Sequence, residues 1–472
     1  MTVLDWVLLA GYFLLLIVIG VQTIRRVQSA DDFAVAGNRI IWPVFFGSLA
    51  ASFLGGGASL GVAGKTFSDG YVYMFAFFGY AVSFMLVGLF VAPRLKRYLG
   101  AHTVGDVMEE HYGRGSRLVT GVLSILLCAG ILGAQALAIG TVVNATLGLP
   151  AAPSVIVGMG VVVLYSSFGG AWAVIQTDML QFVFLGVFIP VTLVLALGEV
   201  GGPAALVAAL PEAHLTFGGG YGVAVFVGLF VAFLLGETLV PPYAQRTFST
   251  PDSRHARIGF ALSGAFAFLF YFIAATLGLV ALVLFPNIAP DQALPTVVMN
   301  LLPAGLIGLV VAALLAVVMS TASSYLNSIA VVFVKDVYQP FVNPQVSAQK
   351  KLWLERGLSV GVGVVATVFA LSVPSIVDAL LYSYTFWAPT IVIPLLIAVL
   401  FGSRSKAAAL SSITAGAVVT AVWVIFFQEL TGLDGLVVGV AANLVVFAMV
   451  ALVTRSSTPT TPASRRPVAE EA

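Results

Sequence analysis

The sequence predicts an all-α polytopic membrane protein of about thirteen transmembrane helices, and three observations carry that prediction. The first is composition: of 472 residues, 60% are hydrophobic and 9% charged, whereas a soluble globular domain carries about 25% charged residues. The second is spacing. Apolar runs of about 20 residues, enough to cross roughly 30 Å of hydrocarbon at 1.5 Å per residue, recur along the whole chain. The third is the placement of the basic residues, which alternates with the runs. So much apolar chain leaves no room for a soluble catalytic domain.

Read in order, the runs lie at 3–24, 40–63, 71–93, 117–148, 153–170, 174–198, 221–245, 257–285, 296–334, 352–372, 375–401, 405–427 and 433–454. The first has no basic residues before it and no A-x-A site after it, and Asp5 precedes its apolar core, so it reads as a retained helix and not a signal peptide. With the N-terminus outside, all but one of the 21 lysines and arginines fall in cytoplasmic connections, Lys65 being the exception. A miscounted span would scramble that parity. The Thr-Pro tail at 456–472, carrying Arg465, Arg466, Glu470 and Glu471, reads as a disordered cytoplasmic segment.

Other classes of function are disfavoured. A net charge of +1 with no clustered basic face argues against nucleic acid. The lone Cys128 excludes an internal disulfide and a cysteine-cluster metal site. His102, His111, His214 and His255 all fall in polar connections, which leaves no histidine ligand at membrane depth and no cofactor to expect. No nucleophile–base pair is visible within the spans, so the chain does not read as an enzyme.

Two spans contain breakers. The second holds Gly55-Gly56-Gly57, then Gly61 and Gly64, and the seventh holds Gly236 and Pro241-Pro242. Glycine weakens a helix interior by about 1 kcal/mol relative to alanine, and proline removes a backbone donor. Opened backbone in lipid is tolerated only where it is buried in protein or lines a cavity. The two breaks lie five spans apart, and five is odd, so the second group of five starts from the opposite side. This is an inverted repeat with a broken first helix in each half, the layout of many secondary transporters. The expected organisation is a first helix and connection over 1–39, repeats over 40–198 and 221–401, two C-terminal helices over 405–454 and the tail.

Polar groups at membrane depth need partners, since a charge there costs at least about 2.5–3.5 kcal/mol. Asp178 lies near the cytoplasmic start of the sixth span, and Glu237 beside the second break. In the ninth span, "MSTASSYLNS" places Ser320, Thr321, Ser323 and Ser324 at roughly 0°, 100°, 300° and 40° around a helix, a single polar face. Hydroxyls and carbonyls are hard oxygen ligands that suit an alkali cation. Lys65 reads either as snorkelling to the outer interface or as attracting an anion.

The stretches "DDFAVAGNRI", "SLAASFLGGGASLG", "YSSFGGAWAVIQTDMLQ", "YAQRTFS" and "MSTASSYLNSIAVVFVKDVY", in that order from about Asp31 to Leu400, resemble the sodium:solute symporter family. The resemblance implies sodium-coupled import of a small organic solute by alternating access, in an integral protein of the plasma (cytoplasmic) membrane. It implies a sodium site at Ala51, Leu54, Val317, Ser320 and Thr321. A second arrangement found in some members falls on Asp178, Ser320, Ser323 and Ser324, leaving one or two sodium ions per cycle open. The solute pocket falls on Phe53, Gly56, Gly57, Ala58 and Glu237. Gly57 and Ala58 stand where sugar-carrying members have polar residues, which makes sugar less expected. A proton-coupled carrier on the same scaffold, and an uncoupled sensor or channel, are the competing readings.

Overall fold

The computed structural model describes residues 1–24, 34–98, 100–166, 170–216, 221–373 and 375–455, and among these every regular element is helical. Ten helices are long and apolar enough to cross a membrane, and two bent pairs bring the total to twelve. We number the membrane-scale helices α1 Val3–Ile24, α2 Trp42–Phe53, α3 Gly57–Asp69, α4 Val72–Leu95, α5 Arg114–Leu147, α6 Ala151–Ser166 and α7 Gly170–Val200. They continue as α8 Val223–Gly236, α9 Pro241–Ser249, α10 Ser253–Leu284, α11 Leu306–Phe341, α12 Ala348–Ala370, α13 Ile376–Phe401, α14 Lys406–Phe426 and α15 Gly435–Arg455.

Counting α2–α3 and α8–α9 as one span each, and adding the shorter apolar helix α6, all thirteen expected runs are helical. Several ends lie a few residues from those expected, with α3 and α11 running on to Asp69 and Phe341, and one run divides. The run at 296–334 divides into a short helix at Ala293–Leu301 and the long α11, because Pro303 lacks a backbone donor and Gly305 takes φ +87 at the corner between them. The tail at 456–472, Arg25 and Arg26, and parts of two of the motif stretches, 31–33 and 167–169, lie outside the described residues.

The centre of the protein is α11, buried along nearly all of Ile307–Val332. It packs against α5 and α7 and, at its start, against α1, while α10 lies across α2, α3 and α4. A helix apolar on all sides has no water-facing stripe and belongs inside a bundle. By contrast α12, α14 and α15 leave large aliphatic side chains exposed on their outer faces, among them Val364, Val365, Val368, Ile425, Leu452 and Val453, as expected for surfaces that meet lipid.

The two breaks sit where the sequence places them, and each has a visible cause. Helices α2 and α3 meet at 60° and α8 and α9 at 42°. At the first break the three glycines permit close approach: a Cβ on Gly55 would stand 2.5 Å from Thr321 Oγ1 and 2.7 Å from Gln135 Oε1. At the second, Pro241 and Pro242 occupy the first turn of α9, where a missing donor costs nothing. The irregular backbone falls just before them, at Glu237–Val240, and includes Leu239 at φ +53. A bulky residue held in the left-handed region costs on the order of 1–3 kcal/mol and persists only when its surroundings impose it.

Candidate functional site

Three polar clusters lie inside the bundle around the two breaks. In the first, Ser320 Oγ on α11 donates to Ala51 O at 2.7 Å, and Thr321 Oγ1 donates to Ser52 O at 2.7 Å. Both hydroxyls also reach back to Val317 O, at 2.9 and 3.3 Å. These carbonyls are within reach because α2 stops at Phe53, and Leu54 leaves helical geometry at φ −83, ψ 48. The first break is held open from the other side by Gln135 on α5, whose Oε1 accepts the Gly56 N–H at 2.7 Å. The cluster contains only neutral oxygen, from carbonyls and hydroxyls, the donor chemistry of a hard monovalent cation. Among the described residues no group of three or more His, Cys, Asp or Glu side chains competes as a metal site.

The second cluster surrounds Asp178 on α7, which is completely buried and not at a hydrated interface. Its Oδ2 accepts from Ser48 Oγ at 2.5 Å, Ser52 Oγ at 3.1 Å and Arg246 Nη2 at 2.8 Å. The guanidinium also donates to Ser48 Oγ at 2.9 Å, Ser52 Oγ at 2.6 Å and Ser324 Oγ at 2.7 Å, and to Pro242 O. Thus α2, α7, α9 and α11 converge on one charge-assisted knot. Ser323 stands apart from it, its hydroxyl bonded to Ser320 O at 3.0 Å. The remaining carboxylate oxygen, Asp178 Oδ1, is buried without a hydrogen-bond partner.

The third cluster surrounds Glu237, at the end of α8. Its side chain is 7% exposed, and it accepts Tyr384 O–H at 2.6 Å on Oε1 and Tyr243 O–H on Oε2. Tyr80 pairs with Tyr384 through their hydroxyls, and Tyr325 O–H donates to Tyr243 at 3.3 Å. Trp387 Nε1 donates to Thr238 O at 3.3 Å, which ties α13 to the broken backbone. Phe53, at the end of α2, meets Tyr80 and Tyr243 edge-on with centroids 5.8 and 6.2 Å away. It links the first break to the second.

Of the expected residues, Ala51, Val317, Ser320 and Thr321 come together, with Leu54 at the helix end beside them. Asp178 and Ser324 come together, but around a guanidinium. Phe53 and Glu237 share one aromatic nest, while Gly56 and Gly57 press against Ala138 and Leu380. Sequence reasoning missed Arg246, which stands in the quoted "YAQRTFS" and was counted only as a connection charge; it is 5% exposed. It also missed Ser48, Ser52, Gln135 and the tyrosines. A tyrosine in an apolar run was the available signal, because its hydroxyl needs a partner. Lys65 neither snorkels alone nor stands free: it pairs with Asp378 at 3.3 Å and lies 5.4 Å over the Tyr73 ring.

The sequence profile of the Sodium:solute symporter family matches residues 33–416. High-affinity choline transporter 1 of Drosophila melanogaster is 25% identical over 392 residues, spanning 77% of this chain but 62% of the fly protein's own length. The Sodium/glucose cotransporter of Vibrio parahaemolyticus is 24% identical over 418 residues, 80% of this chain and 75% of that one. Among solved structures, a Na+-coupled sialic acid symporter in a substrate-bound outward-open state superposes with a TM-score of 0.83 at 17% identity, covering 96% of this chain and 98% of that chain. Mhp1, a nucleobase-cation-symport-1 family transporter, gives 0.60 at 15% identity. Both likenesses show a shared helical fold.

Proposed function

This chain belongs to the sodium:solute symporter family, an integral membrane protein and not an enzyme, and on that premise we propose that it imports a small organic solute coupled to sodium by alternating access. The observation that carries the reading is the first cluster: Ser320 and Thr321 hydroxyls set 2.7 Å from the carbonyls exposed where α2 breaks. Sodium binds to the oxygens of Ala51, Val317, Ser320 and Thr321, with Leu54 contributing from the helix end and Ser52 O beside Thr321. Cation binding there ties α2 to α11. The solute site is the space between the two breaks, with Phe53, Gly56, Gly57, Ala58 and Glu237 around it. Because Phe53 packs against Tyr80 and Tyr243, a shift of the α2 end on sodium release reaches the solute site directly. Binding of either ligand then favours the other by the same factor.

The repeats span 40–198 and 221–401, with the N-terminus outside and the C-terminus cytoplasmic in the plasma membrane. A 100 mV potential supplies about 2.3 kcal/mol per charge and a tenfold sodium gradient about 1.4 kcal/mol. One sodium per cycle therefore supports accumulation of a neutral solute by roughly several hundredfold. We take the stoichiometry as one, because Arg246 supplies at Asp178 and Ser324 the positive charge that a second sodium would bring. The test is thermal stability of the purified protein in sodium and in potassium, across carboxylates, amino acids, sugars and amines. A shift by one solute that requires sodium supports the reading. Indifference to the cation overturns it.

A further inference from the structure

Glu237 is a buried carboxylate with no cation. Its two oxygens are met by phenol hydroxyls alone, and among the described residues no lysine, arginine or histidine lies at ion-pair distance from it. The surrounding wall is aromatic: Phe53, Tyr80, Tyr243, Tyr271, Tyr384 and Trp387 are each at most 5% exposed. Tyr271 O–H is buried within this wall, its ring 6.4 Å from that of Tyr80 and 6.3 Å from that of Phe53, and it has no hydrogen-bond partner. If ionised, a carboxylate at this depth is best stabilised by a cation, and the two helix breaks flank it.

From this arrangement we propose that the solute is a small organic cation, an alkylammonium, whose nitrogen charge is neutralised by Glu237 and whose alkyl groups lie against the tyrosine rings. The proposal rests on the transport reading above and narrows its solute class. Ring faces attract ammonium groups, by about 2 kcal/mol or more when water is excluded. A second sodium is disfavoured here because the side-chain oxygens that meet Glu237 are phenols already donating to it. An anionic solute meets like charge. A sugar meets a wall with few free hydrogen-bonding groups besides Tyr271 O–H.

The test uses full-length protein in lipid nanodiscs and reads thermal stability with tetramethylammonium, choline, ethanolamine, acetate and 3,3-dimethyl-1-butanol, the uncharged carbon isostere of choline. Each is added in sodium and in potassium. At least one of the ammonium compounds is expected to raise the melting temperature by several degrees in sodium, with the isostere and acetate inert. Glu237→Gln is expected to weaken ammonium binding by tenfold or more while sodium added alone still stabilises the variant, which shows that it is folded. Equal stabilisation by the isostere, stabilisation by acetate, or no response to any ammonium compound overturns the proposal, as does ammonium binding unchanged in Glu237→Gln. Should Glu237→Gln fold poorly, the wild-type contrast between choline and its isostere decides in its place. Loss of the sodium response in the wild type with ammonium binding retained would sink the coupling reading and leave the solute class standing.

Discussion

Of the carboxylates buried in this bundle, two lie beside the helix breaks, and they are held in opposite ways. Asp178 is closed into a knot with a guanidinium and three serine hydroxyls from four helices. Glu237 has tyrosine hydroxyls and no cation. The first arrangement completes its charge balance within the chain and therefore serves structure: it joins α2, α7, α9 and α11. The second has no cationic partner among the described residues, and in the proposed site the solute supplies it. Burial and helix breaks alone do not separate a site from a brace. The presence of an internal counter-charge does.

The largest effect that would sharpen this contrast is expected at Arg246. Arg246→Met strips Asp178 of its cation while leaving the carboxylate at zero exposure, and removal of one partner of a buried pair costs about 3–5 kcal/mol. Loss of folded protein, or a fall of many degrees in melting temperature, is expected, with partial recovery in Asp178→Asn/Arg246→Met. Glu237→Gln should show the reverse pattern, stability kept and transport lost. It deletes a charge that has no internal partner, so stability should change by about 1 kcal/mol or less while concentrative uptake is lost. Equal destabilisation by the two substitutions would break the comparison.

Next in size is the neutral cluster between the two. Thr321→Ala removes a hydroxyl that touches the carbonyl edge of α2 and should raise the sodium concentration for half-maximal stabilisation by about tenfold, equivalent to about 1.4 kcal/mol. Ser372→Ala, at an exposed serine bonded only to Val368 O, should leave it unchanged. Equal shifts would remove the first cluster as the cation site.

The thirteen runs, both breaks and the hydroxyl face of α11 were legible in the sequence, because each depends on local chemistry: run length, backbone donors lost at proline, hydroxyls repeating at helical spacing. The pairings were not. Arg246 lies 68 positions from Asp178 and Tyr384 lies 147 from Glu237, and only the packed bundle decides which polar group meets which. Arg246 was read as a surface charge because nine of its neighbours in "PPYAQRTFST" make a mixed, helix-starting segment that resembles a connection. Ser48 and Ser52 were passed over because a serine in a membrane helix ordinarily bonds to its own backbone. Here both turn outward to the guanidinium. Asp378, in the first turn of α13, holds Lys65 across 313 positions.

A third carboxylate tests whether the distinction is graded. Asp291 lies in the short turn Pro290–Gln292, which packs on α3 and accepts the Ile376 N–H at 3.2 Å. Burial pushes its carboxyl up from the ordinary 3.8 to about 6; the Ile376 N–H and the charge of Lys65 pull it down, and Asp378 pushes it up further. Its counter-charge is thus partial, between the two extremes. Because the folded value lies above the unfolded one, the folded protein holds this proton more firmly. The group therefore favours folding below about pH 4 and becomes a growing penalty as pH rises through about 6, after which the penalty is constant. Asp291→Asn should leave the melting temperature nearly unchanged near pH 3.5 and raise it by about 1–3 °C above pH 7. Lys65→Met should make the penalty larger, since it removes the one cation that offsets it. A difference between Asp291→Asn and wild type that does not vary with pH would mean that Asp291 is as well compensated as Asp178, and the grading of counter-charge from knot to nest would fail at its middle term.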